Sequence, residues 1–120
     1  MAGLERKRFD NPDDKRPFRD KGHVEIVNIG GGVVGLATFE PGWRWSDHVK
    51  PIVGTASCEA AHVGYVISGG QVIRMDDGTE LDCKAGDVSL LPSGHDAWVV
   101  GDEPAVVVDF QGMIDYAKSL

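Results

Sequence analysis

Long apolar runs and cysteines are scarce in this sequence of 120 residues. It has no stretch of about 18 apolar residues and no apolar core of a secretory signal, so we predict neither a membrane span nor secretion. Only Cys58 and Cys83 are present, and in a reducing compartment we expect free thiols or a thiolate ligand rather than a disulfide. These absences predict a cytoplasmic protein with no membrane partner.

Several catalytic signatures are missing as well. The sequence contains no Gly-x-Ser-x-Gly, no phosphate-binding glycine loop and no dinucleotide fingerprint, which removes the commonest hydrolase, kinase and dehydrogenase functions. Basic residues are few, with 5 against 14 acidic ones in residues 23–120. Because such an acidic body repels phosphate backbones, we do not expect nucleic acid as a partner.

Residues 1–22 differ from the rest of the chain and predict an extended arm. They carry 7 basic and 5 acidic side chains, lack apolar periodicity and contain Pro12 and Pro17. Two interpretations stay open. The arm is either a loose tail, or it is anchored through Phe9 and Phe18 to the following domain or to a second subunit, as an extended chain adding to a sheet edge.

From His23 onward, short segments rich in valine, isoleucine and aromatic residues alternate with turn residues. This pattern and the 16 glycines of the chain are typical of an all-β fold. The predicted strands are His23 to Ile29, Val33 to Glu40, Trp43 to Trp45, His62 to Ser68, Gln71 to Met75, Glu80 to Cys83, Val88 to Leu91, Ala97 to Val100 and Ala105 to Phe110. We predict one sandwich or barrel domain over residues 23–120, and Met113 to Leu120 can form a short helix at one end.

The predicted strand that begins at His62 is apolar on both faces. If His62 points inward, Val63, Tyr65 and Ile67 point outward, since side chains alternate along a strand. An outer face of this kind requires cover, which in a short chain comes from a second subunit or from the arm. The sequence therefore predicts a homodimer.

Three histidines lie at fixed intervals from glycine and proline, in the patterns Gly42-x5-His48, His62-x6-Gly69 and Gly86-x5-Pro92-x-Gly94-His95. These intervals resemble the two sequence motifs of the cupin superfamily over roughly residues 33–110, and the chain is similar to its small single-domain members. The resemblance implies a jelly-roll barrel, or double-stranded β-helix, that holds a mononuclear metal through histidines and a carboxylate.

The chain departs from the family pattern at three positions. Lys50 stands where the first motif has its second histidine, and His62 stands, after an insertion, where that motif has glutamate. Cys58 precedes His62 by the spacing that the second histidine usually has from the glutamate. In the second motif Ala97 stands in the place of histidine, and His95 lies two residues earlier, on the same face of the strand.

The resemblance and the donor types together give a predicted ligand set of His48, Cys58, His62 and His95. Imidazole and thiolate suit zinc better than magnesium or calcium, with iron, nickel and manganese as alternatives. Three histidines leave an open position for water or substrate, whereas a further bond from Cys58 closes the site into a structural one. The competing interpretation of each side chain is structural, as a hydrogen-bonded histidine or a buried thiol.

Four further residues flank the predicted ligands. Trp43 and Trp45 share a face by alternation, and they either pack in the core or form an apolar wall for a small-molecule ligand. Asp47 and Asp96 adjoin predicted ligand histidines, and they either accept hydrogen bonds that orient the imidazole rings or are solvated turn residues.

Two functions are predicted as alternatives. The first is a sensory or ligand-binding metal module without turnover, favoured by the short chain and by the lack of an obvious acid or base beside the histidines. The second is a mononuclear metal-dependent enzyme, an oxygenase or an isomerase, with a three-histidine site. The fold does not choose between them, since function depends on the site.

Overall fold

The computed structural model describes residues 3–114 and 116–118. Within these residues the chain forms nine strands and two one-turn helices. The elements are β1 (Asp14–Pro17), β2 (Gly22–Ile29), β3 (Gly32–Phe39), α1 (Trp45–His48), α2 (Lys50–Val53), β4 (His62–Ser68), β5 (Gly70–Met75), β6 (Glu80–Lys84), β7 (Val88–Leu91), β8 (His95–Val99) and β9 (Ala105–Gln111). None of the described helices is long and apolar enough to cross a membrane.

The strands form two antiparallel sheets. One has six strands in the order β1-β2-β3-β9-β4-β7, and the other has three in the order β6-β5-β8. From β4 onward the chain passes repeatedly from one sheet to the other, and buried residues from both sheets share one core cluster, such as Val66 of β4 and Ile73 of β5. The inner faces of the two sheets therefore enclose a common interior.

Aromatic side chains fill one part of this interior. The ring of Phe39 lies 4.4 Å from that of Trp43 and is stacked at 5.4 Å on that of Phe18. Trp43 and Trp45 are each only 2% exposed. Because large aromatic side chains bury the most apolar surface per residue, this cluster is a principal source of the stability of the core.

The sequence-based strand predictions are confirmed for most of the sheet. The segments predicted as His62 to Ser68 and Val88 to Leu91 match β4 and β7 residue for residue. Five others are confirmed with ends shifted by one residue, and the strand predicted from Ala97 begins two residues earlier, at His95. Valine and isoleucine runs bounded by glycine turns therefore located these strands correctly.

The strand predicted over Trp43 to Trp45 is wrong. Arg44 forms only an isolated bridge with Trp98, and Trp45 begins α1. The helix starts here because a carboxylate oxygen of Asp96, on β8, accepts a hydrogen bond of 3.1 Å from the backbone N–H of Ser46. This cap comes from a distant strand, so local alternation did not reveal it.

The N-terminal arm is anchored in the sheet. β1 pairs with β2 in an antiparallel register from Asp14 opposite Ile26 to Pro17 opposite His23. Phe18 follows β1 and is 5% exposed against the aromatic cluster. Of the two interpretations of residues 1–22, the structure therefore shows the anchored one for residues 14–18, within the same chain.

The arm also holds the C-terminal part of the chain. Nη1 of Arg16 donates hydrogen bonds of 2.7 Å and 2.9 Å to the carbonyl oxygens of Met113 and Tyr116. The helix predicted over Met113 to Leu120 falls partly on residues 115, 119 and 120, which lie outside the described residues. The described residues 113–114 and 116–118 form turns and irregular chain.

Candidate metal centre

Three side chains with metal-ligating atoms converge inside the barrel. One donor atom each of Cys58, His62 and His95 lies within 4.8 Å of the others, and all three residues are buried. Among the described residues, these three form the group of histidine, cysteine and acidic side chains that could hold a metal ion, and all its members are buried. Ligand atoms bound to one zinc ion lie within about 4.4 Å of each other, since the bonds are about 2.3 Å to sulfur and about 2.1 Å to nitrogen, so this group is near that spacing.

Backbone pairing places the thiol beside the second histidine. Cys58 forms an isolated antiparallel bridge with His95. The backbone N–H of Cys58 donates a hydrogen bond of 2.7 Å to the carbonyl oxygen of His95. The carbonyl oxygen of Cys58 accepts a hydrogen bond of 2.7 Å from the N–H of Gly94. His62 is the first residue of β4, and its Nε2 lies 3.6 Å from the sulfur of Cys58.

Both imidazole rings are oriented by oxygen acceptors at Nδ1. Nδ1 of His62 lies 2.5 Å from Oδ2 of Asp109, and Nδ1 of His95 lies 2.7 Å from the carbonyl oxygen of Pro92. Because a carbonyl oxygen only accepts, Nδ1 of His95 carries the proton, and the carboxylate favours the same tautomer in His62. In each neutral ring the lone pair is then on Nε2, the arrangement found in histidines that ligate metals.

The three side chains shift one another's protonation. Burial alone would raise the pKa of the Cys58 thiol, but hydrogen bonds and charge from His62 and His95 outweigh burial and lower it to about 7. For His62, burial alone would lower the pKa, whereas Asp109 and Cys58 together raise it to about 9. In the metal-free protein, these pKa values favour a thiolate beside an imidazolium between about pH 7 and pH 9.

We expect the metal-stripped protein to show thiolate absorbance at 240 nm that appears with a midpoint near pH 7. In His62→Gln the midpoint should rise toward the ordinary thiol value of 9.0, because the larger of the two histidine contributions is lost while burial and His95 remain.

The second cysteine provides a matched control for this titration. Burial raises the pKa of the Cys83 thiol, so Cys83→Ser should leave the transition near neutral pH unchanged. A transition that disappears in Cys83→Ser, or one that is unaffected by His62→Gln, would contradict the assignment to Cys58.

His48 is not part of the converging group, which corrects the predicted convergence of three histidines. It ends α1, and its Nδ1 accepts a hydrogen bond of 2.9 Å from the backbone N–H of Arg44. The helical turn directs the imidazole back to the residue that precedes α1, so the ring supports the start of the helix. The expected strand between Trp43 and Trp45 would have placed this ring elsewhere.

Asp47 and Asp96 do not orient the histidines of the group. Asp96 accepts hydrogen bonds from Nε of Arg44 at 3.2 Å and from the backbone of Ser46, and Asp47 is exposed. The carboxylate beside His62 belongs to Asp109, which sequence reasoning missed. The available signal was one acidic residue within the apolar segment of β9, since a charged residue in a buried strand usually has a specific partner.

The predicted Trp43 and Trp45 lie beside the histidines, in the wall of the barrel cavity. This cavity has a volume of about 50 Å³, and His62, His95, Asp109 and Tyr116 also line it. The ring of Tyr116, a second residue that the sequence did not indicate, lies edge-on 5.1 Å from that of His62. Cys83 lines the cavity as a free, buried thiol, as expected of a small core residue.

Nε1 of both tryptophans is buried and has no hydrogen-bond partner among the described residues. A buried donor without an acceptor costs about 1–3 kcal/mol, so any oxygen atom that reached either Nε1 and accepted from it would remove that cost. The structure therefore shows the packing role of both tryptophans, and their role as a wall for a small-molecule ligand stays a prediction.

No protein-family model matches this sequence, and no curated protein matches it by sequence. Solved structures do match the fold. A sugar phosphate isomerase of the cupin superfamily from Silicibacter pomeroyi is 21% identical over 88% of this chain and 73% of that chain, with a TM-score of 0.60. A cupin-like protein from Thermotoga maritima is 18% identical over 95% of this chain and 83% of that chain, with a TM-score of 0.56.

Oxalate decarboxylase of Bacillus subtilis, an enzyme with Mn(II) centres, is 25% identical over 78% of this chain and 26% of its own, with a TM-score of 0.51. At these identities the likenesses concern the fold, and the metal and substrates of each protein remain its own. Together with the two antiparallel sheets described above, they show that this chain has the double-stranded β-helix fold of cupin proteins.

Proposed function

We propose that this protein binds one divalent metal ion through Cys58, His62 and His95. The observation that carries the proposal is the orientation of the two rings: each has Nδ1 at an oxygen acceptor, which leaves Nε2 available as a ligand beside the thiol. Metal-ligating histidines are commonly held in this way. Another protein of this fold, the oxalate decarboxylase of Bacillus subtilis, has Mn(II) centres.

Zinc is the favoured ion because a thiolate and two imidazoles form a ligand set of the kind zinc prefers. In protein zinc sites, three protein ligands usually leave a further position for water or a small ligand. A bound zinc ion would supply a Lewis acid at the edge of the barrel cavity. The thiolate that the ion requires is already favoured near neutral pH by His62 and His95.

The ligand of the barrel is expected to be very small. A cavity of about 50 Å³ has room for about one to a few water-sized molecules. Its apolar walls and the unpartnered indole N–H groups of Trp43 and Trp45 suit a compact molecule that accepts hydrogen bonds. We therefore propose a sensory or binding module, and the absence of His48 from the group removes the basis of the three-histidine enzyme.

A second candidate function is a metal-free thiol nucleophile. The distance from Cys58 to Nε2 of His62 and the contact of His62 with Asp109 place the groups in the order of a thiol catalytic triad. His95 favours the metal site over this candidate, because a triad has no use for a second imidazole at the thiol.

Reconstitution with Co²⁺ separates the two candidates. We expect one ion per chain by elemental analysis and a near-ultraviolet sulfur-to-cobalt absorption band that is absent from Cys58→Ser, since only a thiolate bound to the metal gives that band. Cys83→Ser is the matched control and should keep the band. A folded protein that binds no Co²⁺ or Zn²⁺ after reduction and reconstitution would overturn the metal proposal and favour the thiol nucleophile.

Location in the cytoplasm stays a prediction. Cys58 and Cys83 are both free, as expected for a protein of a reducing compartment.

A further inference from the structure

We propose that the outer face of strands β9, β4 and β7 is the interface of a homodimer. This outer apolar face consists of the outward side chains of the three strands: Val63, Tyr65 and Ile67 of β4, Val88 and Leu90 of β7, and Val108 and Phe110 of β9. Five of them are large and well exposed, Tyr65 at 42%, Ile67 at 48%, Val88 at 74%, Leu90 at 65% and Phe110 at 58%. The proposal is independent of the metal site.

Strand register makes this face continuous. Leu90 lies opposite Val63, and Val88 lies opposite Tyr65. Tyr65 also lies opposite Val108 on its other side. Since residues directly opposite each other point to the same face of a sheet, their side chains contact across three neighbouring strands. The exposed apolar residues therefore form one patch rather than scattered single positions.

The described part of the arm, residues 3–22, does not cover this patch. β1, the strand of the arm, pairs with β2 at one edge of the six-stranded sheet, whereas β7 is the opposite edge. β3 and β9 lie between β2 and β4. The arm is already bound through its backbone register and Phe18, so of the two covers that the sequence allowed, the second subunit remains.

Charge favours a second copy as the occupant. None of the seven residues of the outer apolar face is charged, although 26% of the chain is and its net charge is −7. Two copies that approach through any strongly acidic part of the surface repel each other. A charge-free apolar face is the kind of surface that a symmetric dimer of an acidic chain requires.

The size of the face agrees with a dimer. Its five well-exposed side chains present roughly 500 Å² of apolar surface, which exceeds ordinary scattered exposure. In a two-fold symmetric complex both copies bury this face, so the apolar area alone comes to roughly 1,000 Å², the lower bound for a specific interface. Polar residues at the rim would add to it.

Light scattering coupled to size-exclusion chromatography tests the proposal, with Leu90→Glu as the disrupting variant. We expect the wild-type protein to elute at twice the chain mass of 12.9 kDa, and Leu90→Glu to raise the dimer dissociation constant at least about 100-fold by placing two charges in the apolar contact. Leu81→Glu is the matched control, because Leu81 is 50% exposed on β6 of the other sheet. It should remain dimeric.

Three results would overturn the proposal. The first is a wild-type protein that stays monomeric at high concentration, in which case the face binds a different protein. The second is a dimer that persists in Leu90→Glu. The third is an equal effect of Leu90→Glu and Leu81→Glu on dimerisation. Circular dichroism keeps the comparison valid, since Leu90 is 65% exposed and its replacement should leave the folded chain intact. Cobalt binding by monomeric Leu90→Glu should equal that of wild type, so the metal proposal is tested separately.

Discussion

His95→Ala is expected to lower the affinity for zinc at least about 100-fold, whereas His48→Ala should change it by less than about threefold. A structural zinc site contributes roughly 10–16 kcal/mol over its ligands, so the loss of one of three protein ligands removes several kcal/mol, and each 1.4 kcal/mol is about tenfold in affinity. His48 is outside the group and bonds to the backbone of Arg44. The two variants remove the same chemical group from different places.

Competition with a chromophoric chelator measures both affinities, and thermal unfolding of the metal-free proteins shows whether each variant folds. His62→Ala and Cys58→Ala should behave like His95→Ala. Asp109→Asn should lower the affinity for zinc by about 10-fold to 100-fold, since it removes only the carboxylate that orients His62. If His48→Ala also lost zinc while keeping its stability, the ligand set proposed from the structure would be incorrect.

Gly112→Ala is expected to destabilise the protein by about 3 kcal/mol or more and to reduce metal binding. Gly112 has a φ of +99°, and a Cβ atom there would lie 2.1 Å from the carbonyl oxygen of Ala61 and 2.9 Å from Nδ1 of His62. Backbone cannot move aside as a flexible side chain does, so β4 or the end of β9 must shift. The shift would displace His62 from Asp109 and from Cys58.

Gly101→Ala is the control that separates the effect of the steric clash at Gly112 from the effect of placing alanine at a positive φ. Gly101 has a φ of +89°, but a Cβ atom there meets nothing within 4 Å. Gly101→Ala should lower the free energy of unfolding by only about 1–2 kcal/mol, the usual penalty of a left-handed conformation. Urea unfolding of the metal-free proteins gives the free energies, and cobalt absorbance gives the metal content. Equal losses in the two variants would mean that the contact with Ala61 and His62 relaxes freely.

Much of the fold followed from the sequence, because side-chain direction in a strand depends on a local period of two. His62, Gly64 and Val66 face the interior, and Tyr65 and Ile67 are exposed, as alternation predicted. The same argument placed His95 and Ala97 inward, where both are buried. The resemblance of the spaced glycines and proline to cupin motifs correctly indicated the double-stranded β-helix.

The candidate site was predictable only in part. His62, Cys58 and His95 come together as their positions suggested, but His48 does not, because α1 rather than a strand follows Trp43 and Arg44. Asp109 was missed because a carboxylate on β9 becomes a partner of His62 only once β9 pairs with β4. Local periodicity contains no information about such pairings between distant strands.

By itself, the sequence determined eight of the nine strands, β2 to β9, the inward faces of β4 and β8 and the apolar outer face of β4, since these depend on neighbours a few residues apart. The tertiary structure alone decided which donors meet. Backbone hydrogen bonds between the loop that contains Cys58 and the start of β8 bring Cys58 beside His95. Asp109 and Pro92 accept hydrogen bonds at Nδ1 of the two histidines, which leaves Nε2 of each ring free. A ligand set is a property of distances between chain segments, and those distances exist only after the two sheets have packed.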